Sequence, residues 1–310
     1  MDAMAVVIEA PHRLDLARLA LDPPGPGDIV VEMRHSGVST GTERLLFTGR
    51  MPAFPGMGYP LVPGYESVGE VVEAGSASGR RVGETVFVPG ARCYGPVKGL
   101  FGGSAERVVL TGSRALPVDP GFGRDGVLLA LAATAYHAIQ DGPRLPELIV
   151  GHGALGRLLA RMTLLQGGSP TVWERNPARA CGALGYRVVL PDEDERANYG
   201  AIYDVSGDAS LLDALVARLG HGGEVVLAGF YSEPLAFAFP PAFMREARLR
   251  VAAQWREADL LAVRDLVESG KLSLAGLVSH DHRAVDAAQA YRTAFDDPAC
   301  LKMVLDWSRA

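Results

Sequence analysis

The stretch that most constrains this chain is LIVGHGALGRLLARMTLLQGG, residues 148–168. Three strand-forming apolar residues, Leu148-Ile149-Val150, run into G-x-G-x-x-G, and a helix-forming run starts at Arg157. The glycine pattern alone is common, but a strand before it and a helix after it give it meaning. Gly151 permits a tight turn, Gly153 lets backbone approach a pyrophosphate, and Gly156 lets helix and strand pack closely. The free N–H groups of the helix start then favour the phosphate charge. His152 and Leu155 complete the turn, and the sequence places His152 along the cofactor. The next strand, TVWE, ends at Glu174, eighteen residues after Gly156. A carboxylate there accepts hydrogen bonds from an adenine ribose and repels a 2′-phosphate, which favours NAD over NADP. Arg175 follows directly and partly offsets that repulsion. Ser206-Gly207 after AIYDV and Gly229-Phe230 after GEVVLA end later strands. Each alone is an ordinary turn; together with the glycine turn they outline a dinucleotide crevice.

The surroundings fit an α/β chain: a β-rich domain, then a doubly wound parallel sheet. AVVIEA, DIVVEMRHSGV, SVGEVVEAG, ETVFVPG and SAERVVLTG are strand-like runs cut by Gly and Pro. After about residue 120 strands and helices alternate, the rhythm of βαβ units. The expected organisation is a catalytic domain over 1–122, a dinucleotide-binding domain over 123–257, and a return over 258–310 that completes the first. Hydrophobic residues make up 48% and the net charge is −6, so there is a core to bury and no basic face for nucleic acid. The N-terminus lacks a secretory pattern and no apolar run reaches the roughly 18 residues of a membrane span, so a cytoplasmic location is expected. Cys93, Cys181 and Cys300 form no CxxC pair and read as thiols.

PGYESVG, residues 63–69, sets a phenol beside a carboxylate at a tight corner. Around it, VGEVVEAG (68–75), GETVFV (83–88), GGSAERVV (102–109) and Gly270-Lys271-Leu272 resemble the landmarks of the medium-chain dehydrogenase/reductase family along the whole chain. The resemblance implies a GroES-like β-barrel domain completed by the tail, and a Rossmann domain between. Zinc enzymes of that family carry a Cys in G-[IV]-C-G-[ST]-D, a His in G-H-E, and a third Cys or acid. Here those places hold Gly37-Val38-Ser39-Thr40-Gly41-Thr42-Glu43, Gly64-Tyr65-Glu66, and Ala130 or a neighbour. Hydroxyls are poor Zn²⁺ ligands beside thiolate and imidazole, so no protein-bound zinc is expected. The four-Cys structural lobe is missing as well.

The run 36–75 is similar, more narrowly, to the bacteriochlorophyllide a dehydrogenases of phototrophic bacteria. That likeness implies oxidation of a 3-(1-hydroxyethyl) group to 3-acetyl on a macrocycle whose Mg²⁺ belongs to the substrate, with NAD⁺ as acceptor. Without zinc, the proton needs a side-chain relay. Tyr65, Ser39, Thr40 and Glu66 are the candidates, Tyr65 as base if a nearby cation or the cofactor's charge lowers its reference pKa of about 10, and otherwise by orienting the alcohol. The resemblance places Thr134 near the nicotinamide ribose and Tyr136 in the same cleft. Phe54, Met57 and Tyr59, on the Pro/Gly-rich loop MPAFPGMGYP, offer a stacking platform for a flat ring, or a flap packed on its own domain. His137, in an apolar helix, reads as a packing histidine. A homodimer, transient contact with other pigment enzymes, and a site peripheral to the photosynthetic membrane are compatible with this reading. Two alternatives stay open: a zinc-free NADPH-dependent quinone or enal reductase, which Glu174 disfavours, and a non-catalytic pigment or dinucleotide binder.

Overall fold

The computed structural model describes residues 1–308. They form two compact units, residues 1–130 with 277–308, and Leu131–Gly276. The changeovers come later in the chain than the shifts in composition suggest. The helix Glu257–Glu268 stays with the second unit because it buries Leu260 and Val263, and because Asp259 Oδ2 meets His137 Nδ1 at 2.9 Å. Arg161 holds the segment after it, donating to the carbonyls of Ser273 (2.7 Å) and Ala275 (3.0 Å).

The first unit is built on two sheets. In the smaller, Asp2–Ala10 lies between Arg13–Ala20 and the short strand Leu61–Val62, with Lys98–Gly99 beyond. In the larger, Asp28–Val38 pairs antiparallel with Ser67–Ala74, Arg107–Thr111 and the closing strand Met303–Asp306. Val6, Val7 and Ile8, like Ile29, Val30 and Val31, are buried without alternation, as in strands covered on both faces. The helix Ala287–Asp296 buries Ala287, Ala290, Tyr291, Ala294 and Phe295, an i, i+3, i+4, i+7, i+8 stripe laid on the core. Trp307 Nε1 donates to Ser36 Oγ at 2.9 Å, tying the tail to the central strand.

The second unit is a six-stranded, wholly parallel sheet. Counted in chain order within the unit, its strands lie 3-2-1-4-5-6, the doubly wound order. Its first strand, Leu148–Val150, runs between Thr171–Trp173 and Tyr199–Asp204 and is fully buried. The topological switch point therefore falls at Gly151.

Candidate active site

In the second unit, Gly151 takes φ +106°, a left-handed value that glycine adopts without strain. A Cβ at Gly156 would overlap the Gly151 carbonyl oxygen, whereas one at Gly153 would meet open space. Gly151 thus makes the turn, Gly156 allows the close packing, and the space over Gly153 is open. Gly153 caps the twelve-residue helix Ala154–Leu165, whose start carries unsatisfied N–H groups and Leu155 half-buried. A cavity of about 320 Å³ opens at the carboxyl ends of the strands, lined by Gly151, Glu174, Arg175, Ser206, Asp208 and Arg218 among others. A left-handed glycine, an open cradle, a helix start and a crevice fit a dinucleotide.

Glu174 holds the glycine turn through two backbone N–H groups. Its Oε2 accepts the His152 N–H (3.0 Å) and its Oε1 accepts the Asn176 N–H (2.7 Å). The carboxylate pins the glycine turn to the end of the second strand, with lone pairs to spare on both oxygens. His152 departs from the expectation that it lines the cofactor. Its ring is buried, meets the Arg179 carbonyl at 2.6 Å and the Tyr186 hydroxyl at 2.8 Å, and burial holds its pKa below the usual range. Arg157 was invisible as a structural residue; it is buried beneath the turn, donating to the carbonyls of His152, Arg179, Cys181 and Gly182. Its signal was a charge inside an otherwise apolar helix face. Gly207 and Gly229 lie against each other: a Cβ at Gly229 would come within 3.2 Å of the Gly207 N, and one at Gly207 equally close to the Phe230 carbonyl. Phe230 is exposed. Thr134 and Tyr136 sit half-buried on the helix Leu129–Gln140, outside the lining of that cavity.

In the first unit, the corner 63–69 is pinned on both sides. Gly64 takes φ +99° and accepts the Gly103 N–H at 2.8 Å, while Pro63 accepts that of Ser104 at 3.0 Å. Glu66 O accepts the Gly37 N–H at 2.7 Å, which draws this corner to the corner that carries Ser39. Tyr65 then donates to Ser39 Oγ at 2.9 Å, its ring set edge-on to Phe101. Ser39 Oγ also accepts the Thr42 N–H at 3.3 Å. Both lone pairs of that oxygen are engaged, so the Ser39 O–H remains to be given away. Thr40 follows, half-buried.

The side chains around Tyr65 do not by themselves favour its ionised form. Among the described residues no cation lowers its pKa; burial and the nearby Glu66 charge push it well above the ordinary value. The phenol is a neutral hydrogen-bonding group. Glu66 is fully buried and paired with Lys302, Nζ to Oε2 at 2.5 Å. It supports the corner from within. Lys302, Glu43 and Tyr291 were missed; the one hint was a lysine in the apolar tail CLKMVLDW.

The aromatic loop is divided. Met57 and Tyr59 pack against the cluster Ile8, Leu46, Leu61 and Leu100, and the Tyr59 hydroxyl donates to the Leu46 carbonyl. Phe54 at the tip is exposed. The base of the loop is anchored, and only its tip offers a free ring. Among the described residues no group of three or more His, Cys, Asp or Glu is arranged to hold a metal. No helix among them is long and apolar enough to cross a membrane.

Residues 25–120 match the alcohol dehydrogenase GroES-like domain family. Over its full length the chain is 57% identical to the 2-desacetyl-2-hydroxyethyl bacteriochlorophyllide A dehydrogenase of Rhodobacter capsulatus, covering 100% of both. The chain belongs to the bacteriochlorophyllide a dehydrogenase family. Within the medium-chain dehydrogenases its fold is also that of a short chain alcohol dehydrogenase from E. coli CFT073 complexed with NADH. The two share a TM-score of 0.84 at 20% identity, over 98% of this chain and 99% of that one. A putative zinc-binding dehydrogenase from Sinorhizobium meliloti bound to NADP has a TM-score of 0.82 at 20% identity, over 99% of each. The bacteriochlorophyllide dehydrogenase fold is thus shared with oxidoreductases that bind either nicotinamide dinucleotide.

Proposed function

We propose that the protein oxidises the 3-(1-hydroxyethyl) group of a bacteriochlorophyllide to 3-acetyl, with NAD⁺ as hydride acceptor and without a protein-bound metal. The observation that carries the site assignment is the Ser39–Tyr65 hydrogen bond at the corner where the zinc enzymes of the superfamily place metal ligands. The full-length likeness to a named hydroxyethyl bacteriochlorophyllide dehydrogenase supports the substrate.

When bound, the dinucleotide supplies the hydride-accepting carbon. Gly151, Gly153 and the start of the helix Ala154–Leu165 hold its pyrophosphate, and Glu174 takes the adenine ribose. The acid at that position favours NAD over NADP. The first unit handles the oxygen of the alcohol. A hydride leaves more readily from a carbon whose oxygen bears negative charge, so donors aimed at that oxygen lower the barrier. Ser39 has only its O–H left to offer, and Tyr65 fixes the direction of that O–H by occupying one lone pair of Ser39. The neutral Tyr65 oxygen, which also meets the Thr42 side chain, accepts the alcohol O–H before the reaction. As the hydride leaves for the dinucleotide, the alcohol's proton passes through Thr40, the next hydroxyl along the corner, to water, so that the ketone, the reduced dinucleotide and one solvent proton balance the step; Phe54 offers a ring face to the macrocycle.

An anaerobic absorbance time course tests this reading. Protein, NAD⁺ and 3-(1-hydroxyethyl) bacteriochlorophyllide a are mixed, and the long-wavelength band is followed. Conjugation of a new acetyl carbonyl moves that band to the red. A red shift that requires NAD⁺ and is slow with NADP⁺ supports the assignment. No shift with either dinucleotide removes it in favour of a carrier. Rapid NADPH consumption with a quinone instead would select the reductase.

A further inference from the structure

Behind the Ser39–Tyr65 pair lies a set of buried groups that the reaction scheme above leaves unused. Glu43, Glu66, Tyr291 and Lys302 are each no more than 2% exposed. They come from separate elements: the helix Thr42–Thr48, the corner at 63–69, the helix Ala287–Asp296 and the segment before the closing strand. Tyr291 donates to Glu43 Oε2 at 2.6 Å, and Lys302 Nζ reaches Glu66 Oε2 at 2.5 Å and the Val38 carbonyl at 3.3 Å. The Glu43 N–H donates to the Ser39 carbonyl at 3.1 Å. Oε1 of Glu43 and Oε1 of Glu66 have no hydrogen-bond partner among the described residues.

The charges do not balance if every acid is ionised. Two carboxyls share one ammonium, and Lys302 is spent on Glu66. An unpaired buried carboxylate is costly, so the second carboxyl keeps its proton. We propose that Glu43 is a positioning residue for the oxidation: with Tyr291 and the Glu66–Lys302 pair it holds the turn that carries Ser39, and loss of its proton disrupts the Ser39–Tyr65 hydrogen bond. The groups facing it are Tyr291, Glu66, Lys302 and the Ser39 backbone, with Tyr65 also within electrostatic reach. Burial, followed by the Glu66 charge among the raising influences, lifts the Glu43 carboxyl to about 8, while the Tyr291 hydrogen bond works against that rise. Above that pH a second negative charge appears beside Glu66 with no cation to meet it, directly beneath Ser39. The inference rests on the reading that Ser39 and Tyr65 meet the substrate oxygen.

The test is the pH profile of initial turnover at saturating NAD⁺. Native enzyme loses kcat on the alkaline side, centred at about pH 8. Glu43→Gln, a neutral mimic of the protonated acid, retains kcat at pH 7 within about threefold and loses that alkaline limb. Tyr291→Phe removes a donor that favours the ionised form, so its limb moves to higher pH. An alkaline limb unchanged in both variants overturns the proposal, and Tyr291→Phe decides alone should Glu43→Gln fail to fold. Tyr65→Phe in the same assay separates the two layers. Unimpaired turnover in Tyr65→Phe defeats the site assignment itself. Impaired turnover with an unchanged limb in Glu43→Gln or Tyr291→Phe defeats only the role of Glu43.

Discussion

The glycine turn of the second unit and the Ser39–Tyr65 corner of the first are built by opposite means. The turn is backbone: its parts lie within six consecutive residues, and they work through φ angles, missing Cβ atoms and free N–H groups. The corner is side chains: Tyr65 and Ser39 are 26 residues apart, Glu66 and Lys302 are 236 apart, and Glu43 and Tyr291 are 248 apart. A backbone site tolerates change around it but not within it. A side-chain site stands on distant supports, and its weak points lie where no motif marks them.

This contrast sets the order of expected losses. Gly156→Val should be the most damaging change, because its Cβ overlaps the Gly151 carbonyl oxygen and the helix must move off the strand. Dinucleotide binding, followed by fluorescence titration, should vanish together with a lowered unfolding temperature. Wild-type binding in that variant would break the claim that the turn is purely steric. Lys302→Met comes next. It leaves the Glu66 carboxylate buried without its cation, a change that typically costs about 3–5 kcal/mol. Chemical denaturation measures it, and adding Glu66→Gln should recover much of the loss. A near-neutral Lys302→Met would show that the corner does not depend on its distant support. Tyr65→Phe should be smallest in stability and specific to turnover. It should reduce kcat by about 100–1000-fold, the range for losing one oriented hydrogen bond to the reacting groups, with dinucleotide affinity unchanged.

The legibility of the sequence follows the same division. The strand, turn and helix at 148–165 could be read directly because every part is local, and the order of the parallel sheet follows from the βαβ rhythm. The family resemblance pointed to Ser39 and Tyr65. No local pattern showed what holds them. Glu43 reads as an ordinary acid in the first turn of a short helix, and Tyr291 as one more residue of an amphipathic stripe. Lys302 in CLKMVLDW breaks an apolar run, which signals a buried charge but not its partner. His152 misled for a related reason. Motif position predicts where its backbone lies, whereas its ring follows a hydrogen bond to Tyr186, 34 residues on. The loop at 51–60 divides likewise: composition shows its aromatics, but only packing shows that Met57 and Tyr59 face inward and Phe54 outward.

In the proposed mechanism, hydroxyl groups at this corner do the work done elsewhere by a metal ion. The most direct test is the metal content of active enzyme measured with its turnover, before and after dialysis against a zinc chelator that is removed before the pigment is added. Far less than one zinc per chain and the same turnover in both samples are expected. One zinc per chain, lost together with activity and restored by adding zinc, would contradict that mechanism.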